Sequence, residues 1–343
     1  MAETDLLQAA CSGDEAAFAG LVAPYRRELH VHCYRMLGSF DDAEDAVQET
    51  LLAAWRGLTS FQGRASVRTW LYKVATNTCL NLIRHASRRP QMADPLPATA
   101  PEPTGSTEVT WLQPYPDLLL DELPDPQEAA HTRIERAEAV SLAFVTALQL
   151  LSPRARAVLV LRDVLGFSAA ETAEALDSTA QAVAMTLSRA RAAVREHGPA
   201  RATTGSTAGS TTGTAGEALL VRLLTQALTA HDVDAVVRLL AEDVRIAMPP
   251  LPAVWQGRDR AAVFLAEVAF RLVPRARFIP TRANGQPALA VYMHDIASGL
   301  WRAGGLLVLT LNGDQIIGLT RFETTTMRPF GLPGILPDDQ SDD

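Results

Sequence analysis

SAAETAEALDSTAQAVAMTLSRAR, residues 168–191, contains two helix-start patterns in succession. Ser168 and Glu171 have the spacing of a capping box, in which each side chain accepts a hydrogen bond from the backbone of the other residue. Ser178 and Gln181 repeat that spacing, so a second and longer helix is predicted to follow the first after a tight turn. This arrangement predicts a helix-turn-helix, whose second helix enters the major groove of DNA.

A third helix and a set of apolar residues are expected to support the helix-turn-helix. Ser152-Pro153 has the pattern of an N-cap followed by a first-turn proline, and predicts a preceding helix that runs to Gly166. The expected packing positions are Ala175, Leu176, Val183 and Leu187. An ordinary antiparallel helix pair has the same capping boxes, so the motif by itself leaves both interpretations open.

Charges are separated along the first 89 residues, which read as helical. A helix is predicted from a capping box at Asp41 and Glu44 to about Arg56, and another from about Val67 to His85. Residues 41–49 contain five acids and no base, whereas residues 61–90 contain six bases and no acid. Phosphate contacts need cations, so this local separation matters more than the net charge of −8, and it indicates two different partners.

Two linkers and a third unit complete the organisation. Nine prolines predict an extended linker over residues 90–126, and a Gly, Ser, Thr and Ala tract predicts a flexible one over 198–216. The remaining units are residues 1–89, 127–197 and 217–330, followed by an acidic tail at 331–343. In the third unit, the pattern predicts helices over 217–230, 232–241 and 259–270 and strands over 288–293, 306–311 and 315–322, with a hairpin turn at Asn312-Gly313.

Several motifs in register resemble the extracytoplasmic-function sigma factors, the small two-domain members of the main bacterial sigma family. They are DAEDAVQETL (42–51), FQGRASVRTWLYKVATN (61–77), LSPRARAVL (151–159) and LSRAR (187–191). The resemblance implies two all-α sigma domains, the second with the helix-turn-helix. It also implies a transcription initiation factor whose partners are core RNA polymerase and promoter DNA, without catalytic residues, metal or cofactor.

The resemblance assigns roles to three groups of residues. The acidic helix would dock on a coiled coil of the polymerase's largest subunit through Asp45, Gln48, Glu49 and Leu52. Recognition of the −10 element would use Phe61, Arg64, Ser66, Arg68, Lys73, Asn77 and Arg84. Recognition of the −35 element would use Thr179, Gln181, Thr186, Arg189 and Arg191. Trp70 falls in phase with apolar neighbours and is interpreted as a core residue.

The first linker threads through the polymerase in relatives. Trp111 and Tyr115 are therefore expected either to be docking anchors on the polymerase or to pack on the third domain. The third domain resembles the SnoaL-like polyketide-cyclase family, a cone-shaped α+β barrel, through LTAHDVD (228–234), LAEDV (240–244) and VWQGR (254–258).

Two functions are open for the third domain. It is expected to regulate the sigma domains, with a small-molecule ligand in its pocket as one means. The alternative is an enzyme acting on a small hydrophobic molecule, for which the titratable candidates are His231, Asp232, His294 and Asp295. Trp255 and Trp301 are interpreted as core residues. A helix-turn-helix repressor would account for residues 150–196 alone, and not for the segments before them.

The location follows from what the sequence lacks. No apolar stretch approaches the roughly 18 residues that span a bilayer, and the acidic N-terminus MAETDLLQAACSGDE differs from a signal peptide. A cytoplasmic protein without a membrane partner is therefore expected. Its three cysteines form no CxxC pair, which favours reduced thiols.

Overall fold

The computed structural model describes residues 2–61, 63, 65–85, 96–121, 139–197 and 215–336. These residues form two compact units. The first contains the described residues up to His85 and those from Ala143 to His197, and the second contains 96–121, 139–142 and 215–336. Arg64, most of the predicted second linker and most of the predicted acidic tail lie outside the described residues.

The N-terminal part of the first unit is helical, as predicted. Its helices are α1 (Glu3–Cys11), α2 (Glu15–Val22), α3 (Arg26–Leu37), α4 (Phe40–Gly57) and α5 (Val67–His85). A 3-10 turn over Ala23–Tyr25 contains Pro24 and divides α2 from α3, as expected of a proline. The predicted capping box at Asp41 and Glu44 is wrong. Because Gly38 turns the chain with a φ of 75°, the extended residue that follows, Ser39, is the N-cap, and its hydroxyl accepts from the Asp42 N–H.

The helix-turn-helix is present in the same unit. The helices of this part are α7 (Leu142–Gln149), α8 (Pro153–Leu159) with a π turn (Val160–Val164), α9 (Ala169–Ala175) and α10 (Ala180–His197). Ser168 and Glu171 make both bonds of the predicted capping box. The second box is wrong, since Asp177 has a φ of 46° and the cap falls one residue later, where the Thr179 hydroxyl accepts from the Ala182 N–H. All four predicted packing residues are buried.

The second unit is an α+β domain around one mixed sheet. Its helices are α11 (Ala215–Thr229), α12 (Val233–Leu239), α13 (Arg258–Phe264) and, after a π turn, α14 (Phe270–Leu272). Its strands are β1 (Gly105–Ser106), β2 (Leu240–Ala247), β3 (Ala253–Gln256), β4 (Ala276–Ala283), β5 (Gln286–Asp295), β6 (Leu300–Asn312), β7 (Gln315–Phe322) and β8 (Ile335–Leu336). The sheet order is β1-β3-β2-β7-β6-β5-β4, with β8 on β6.

Most pairs in this sheet are antiparallel, and β2 runs parallel to β7. The hairpin predicted at Asn312-Gly313 joins β6 to β7, but its two turn residues are Gly313 and Asp314, one position later than predicted. Strands β2, β3 and β4 were not predicted, and the helix expected to reach residue 241 ends at Leu239. Trp255 and Trp301 are buried, as interpreted from the sequence. The open sheet wrapped by helices confirms the predicted cone-like α+β class.

The proline-rich segment is more ordered than its composition predicted. Strand β1 adds to the edge of β3, with Gly105 opposite Val254, and a short helix α6 (Asp117–Asp121) follows. The outer edge of β3 has unpaired backbone N–H and C=O groups. An extended segment can pair with such an edge even when its prolines prevent it from forming a helix or a central strand. Within the described ranges, no helix has the length and apolar character needed to cross a bilayer.

Gly305 of β6 leaves no room for a side chain. Its φ is 125°, and a Cβ added there would stand 2.1 Å from the Phe322 carbonyl oxygen. We predict that Gly305→Ala destabilises this domain by about 3 kcal/mol or more, because backbone atoms must move apart. Gly299→Ala is the control, since its φ is also positive but the space around it is open, and about 1 kcal/mol is expected. Hydrogen exchange of the β6 and β7 amides in the full-length protein measures both effects, and equal losses would contradict the prediction.

Candidate nucleic-acid interface

Helix α4 has one buried and one exposed face. Its buried side contains Ala43, Ala46, Val47, Thr50 and Ala54. The four predicted polymerase contacts, Asp45, Gln48, Glu49 and Leu52, are all exposed on the other side. Leu52 is 56% exposed, which is costly for leucine unless a partner covers it. The helix therefore presents an apolar side chain beside two carboxylates, a surface suited to a basic partner.

The residues predicted for the −10 element lie on α5 and just before it, and several are already bonded. Ser66 accepts from the Thr69 N–H and so caps α5. Arg68 donates hydrogen bonds from two of its nitrogens to the Glu28 carboxylate at 3.0–3.1 Å. Its guanidinium carbon lies 4.9 Å from the centroid of the Tyr72 ring.

The other predicted −10 residues differ in their exposure. Phe61 stacks at a tilt on Trp70, with ring centroids 5.1 Å apart, and Trp70 packs on a small core cluster, as interpreted from the sequence. Arg84 is exposed and donates to Asn81 at 3.0 Å.

Helix α5 contacts the helix-turn-helix directly. Lys73 forms an ion pair with Glu174 of α9, with 3.5 Å between Nζ and Oε1. Asn77 donates to the Ala175 carbonyl at 3.4 Å. Two residues predicted to contact the −10 element therefore face the motif predicted to read the −35 element, and in this conformation both are engaged within the protein.

The recognition helix α10 keeps most of its predicted DNA face open. Gln181 and Arg189 are exposed, and Thr186 is half-buried. Arg191 makes a two-bonded ion pair with Asp163, at 2.7 and 2.8 Å, and is neutralised there. Thr179 is the cap of the helix, so its hydroxyl already accepts a hydrogen bond.

A buried group that the sequence did not single out joins the two halves of the first unit. We call Gln149 and Arg156 the interdomain clasp. The Arg156 side chain is buried and donates to the Leu148, Gln149 and Leu151 carbonyls at 2.8–3.3 Å, and also to the Met36 carbonyl and the Gln149 side chain. Gln149 donates to the Arg35 carbonyl at 3.2 Å. The clasp thus satisfies carbonyls at the C-terminal end of α3, where a cation is favoured.

Burial lowers the pKa of Arg156 to about 10, so the guanidinium stays charged at neutral pH. Arg156 lies inside the quoted LSPRARAVL motif, but a sequence does not reveal which of two neighbouring arginines points inward. Arg154, its neighbour in the motif, donates instead to the Leu176 carbonyl at 2.7 Å.

In the second unit, a hairpin turn binds the linker. We call Arg282, Asn284 and Gly285 the linker clamp. The Asn284 side chain is fully buried, accepts from the Tyr115 N–H at 2.8 Å and donates to the Val140 carbonyl at 2.6 Å. Arg282 and the Gly285 N–H bind Asp117. The Asn-Gly pair is a hairpin signal that could have located this turn, although not its partner.

The two aromatic residues of the linker differ in their exposure. Tyr115 is 1% exposed and packs on the third domain, which is the second alternative given for it. Trp111 is 36% exposed, so a large part of its ring stays accessible.

Of the four titratable residues considered for catalysis, one lines the cavity of the third domain. His231 does so, but its ring already bonds the Val273 carbonyl and packs on Phe270. Asp232 caps α12, and His294 packs on Trp301 away from the cavity. Hydrogen bonds from Ser298, Arg302 and the Ala297 N–H lower the pKa of Asp295 to about 2, which is unsuited to a general base at neutral pH.

Comparison with known proteins accounts for all three parts of the chain. Residues 21–89 match the model of Sigma-70 region 2, residues 141–194 match Sigma-70, region 4, and residues 221–318 match the SnoaL-like domain. The ECF RNA polymerase sigma factor SigG of Mycobacterium tuberculosis is 41% identical over 325 residues, which cover 93% of this chain and 85% of SigG. The chain belongs to the extracytoplasmic-function (ECF) sigma factors.

Two further relatives agree with the family. SigM, an ECF RNA polymerase sigma factor of Mycobacterium tuberculosis, is 32% identical over 190 residues, or 55% of this sigma factor and 81% of SigM. The crystal structure of the extracytoplasmic-function sigma factor SigJ of Mycobacterium tuberculosis superposes with a TM-score of 0.57 at 23% identity, covering 90% of this chain and 97% of SigJ. It supports the fold of the whole sigma factor, including its C-terminal domain.

Proposed function

We propose that this sigma factor binds core RNA polymerase through the exposed face of α4 and promoter DNA through α5 and α10, while its C-terminal domain restrains the linker between them. The exposed set of Asp45, Glu49 and Leu52 supports the polymerase assignment most directly. A basic partner groove would pair with both carboxylates and cover the leucine.

The contacts made by α5 support a closed resting form. Lys73 and Asn77 bond to the helix-turn-helix, and Arg191 is neutralised by Asp163, so these cations and amides cannot hold DNA at the same time. Opening would release Lys73 and Asn77, whereas the Arg191–Asp163 pair lies within one domain and would have to break separately. Exposed ion pairs of this kind contribute little, so a polymerase surface could displace them readily.

The linker clamp supports a regulatory role for the C-terminal domain. A linker between two DNA-reading domains must be free to extend when they separate on a promoter. Here its residues from Gly105 to Asp117 pair with a sheet edge and with a buried asparagine. We infer that release of the linker is a step in activation. Catalysis by the domain is not favoured, because three of its four titratable candidates lie outside the cavity.

Neutralising the acidic face tests the polymerase contact. We expect Asp45→Asn with Glu49→Gln to weaken binding to core polymerase roughly tenfold, with a smaller salt dependence, because two charge pairs are lost. The control is Glu242→Gln with Asp243→Asn, an equal charge change at exposed positions of β2. Titration of labelled protein with core polymerase measures both, and unchanged affinity in the first double variant would refute the assignment.

Loosening the linker clamp tests the regulation. Asn284 has a φ of 59°, so Asn284→Gly keeps the turn and removes only the side-chain amide. We expect about fivefold more run-off transcript at limiting protein, since a loss of about 1 kcal/mol shifts the closed form toward the open one.

Asn312→Gly is the control, since it removes the same side chain from an exposed position at the end of β6, beside the β6–β7 turn and outside the linker clamp. Equal transcription from both variants and the unmodified protein would argue against the restraint.

A further inference from the structure

The C-terminal domain encloses a cavity of about 590 Å³ between its helices and its sheet. That volume lies in the range of roughly 300–1,000 Å³ typical of small-molecule sites. The wall is mostly apolar, and its principal residues are Leu224, Leu228, Phe264, Val268, Phe278 and Leu307. These side chains come from α11, α13 with its π turn, β4 and β6, so the cavity belongs to the core of the domain.

One cation lies in this apolar wall. Arg321 extends from β7 and donates to the Gly304 carbonyl at 2.7 Å. Among the described residues, no carboxylate lies within ion-pair distance of it. Burial lowers the pKa of Arg321, and Glu323, an exposed residue that also lines the cavity, opposes this shift without forming an ion pair with Arg321. A guanidinium with five donors is therefore half-buried with one carbonyl partner among the described residues, and an anion in the cavity would use its remaining donors.

We propose that this cavity binds an amphipathic monocarboxylate, with its carboxylate on Arg321 and its apolar chain or ring among the leucines and phenylalanines. A planar guanidinium binds a carboxylate through two parallel hydrogen bonds, which would use donors that Arg321 leaves free. A neutral ligand of the same shape would bury the same apolar surface but leave the cation uncompensated. An ammonium ligand would be repelled.

The linker forms part of the same wall. Leu96 lines the cavity, and Thr99 donates to the Glu267 carbonyl at 3.4 Å beside it. Occupancy would therefore change the packing of residues 96–100 on the domain. Any effect on transcription rests on the regulatory role proposed above, whereas the binding itself does not.

Calorimetric titration of the full-length protein with dodecanoate, dodecanol and dodecylamine, each as monomers, tests the proposal. The three probes share one chain length and differ in the charge of the head group. We expect one dodecanoate per protein, weaker binding of the alcohol by about tenfold or more, and the weakest binding for the amine. Equal binding of acid and alcohol, or no binding of dodecanoate, would overturn the assignment.

Substitution of the cation gives the matched comparison. Arg321→Gln should lower dodecanoate affinity about 30-fold and leave dodecanol unchanged, whereas Arg321→Lys should keep the preference for the acid. Arg238→Gln removes an exposed arginine of α12 outside the cavity and should change neither. Unchanged dodecanol binding shows that the Arg321→Gln variant is folded. If Arg321→Gln binds dodecanoate as the unmodified protein does, the proposed ligand site is refuted. The regulatory role is tested separately by the transcription measured with Asn284→Gly.

Discussion

A buried guanidinium, that of Arg156, is the interaction on which the arrangement of the two sigma domains depends. It saturates carbonyls of its own domain and, with Gln149, those at the C-terminal end of α3. Charged donors make stronger hydrogen bonds than neutral ones, and each buried carbonyl left unpaired costs about 1–3 kcal/mol. The interdomain clasp is therefore a strong polar contact across this interface, whereas the Lys73–Glu174 pair is exposed and weak.

A second constraint acts on the linker between the same two domains. The linker clamp is a single Asn-Gly hairpin. It binds Tyr115 and Asp117, which precede residues 122–138, and Val140, which follows them. Because Asn284 is fully buried, its amide cannot exchange these partners for water without local opening. The cavity lies in the same domain and includes Leu96 of the linker in its wall. The proposed ligand and the linker would thus meet in one small domain, which is the basis of the regulation proposed for it.

Local signals in the sequence predicted much of this fold, and non-local ones were missed. The Ser168–Glu171 box, the β6–β7 hairpin and the extent of α5 depend on neighbouring residues, and the structure confirms them. The caps of α4 and α10 were each misplaced, because residues in the left-handed region shift a helix start without changing the hydrophobic pattern. Composition predicted an extended linker, but the pairing of β1 with β3 was missed because it joins residues about 150 positions apart. The family resemblance supplied the exposed face of α4, but not which promoter-facing residues are engaged internally or which arginine is buried.

The distance between the two sigma domains in solution tests the closed resting form most directly. Spin labels at Glu15→Cys and Glu196→Cys, two exposed positions, in a protein whose exposed Cys11 is replaced by serine, report it by pulsed electron resonance. The free protein should give one short distance, core polymerase should lengthen it, and Arg156→Met should lengthen it without polymerase. A free protein that already shows the long distance of the polymerase-bound form, unchanged by Arg156→Met, would contradict the account.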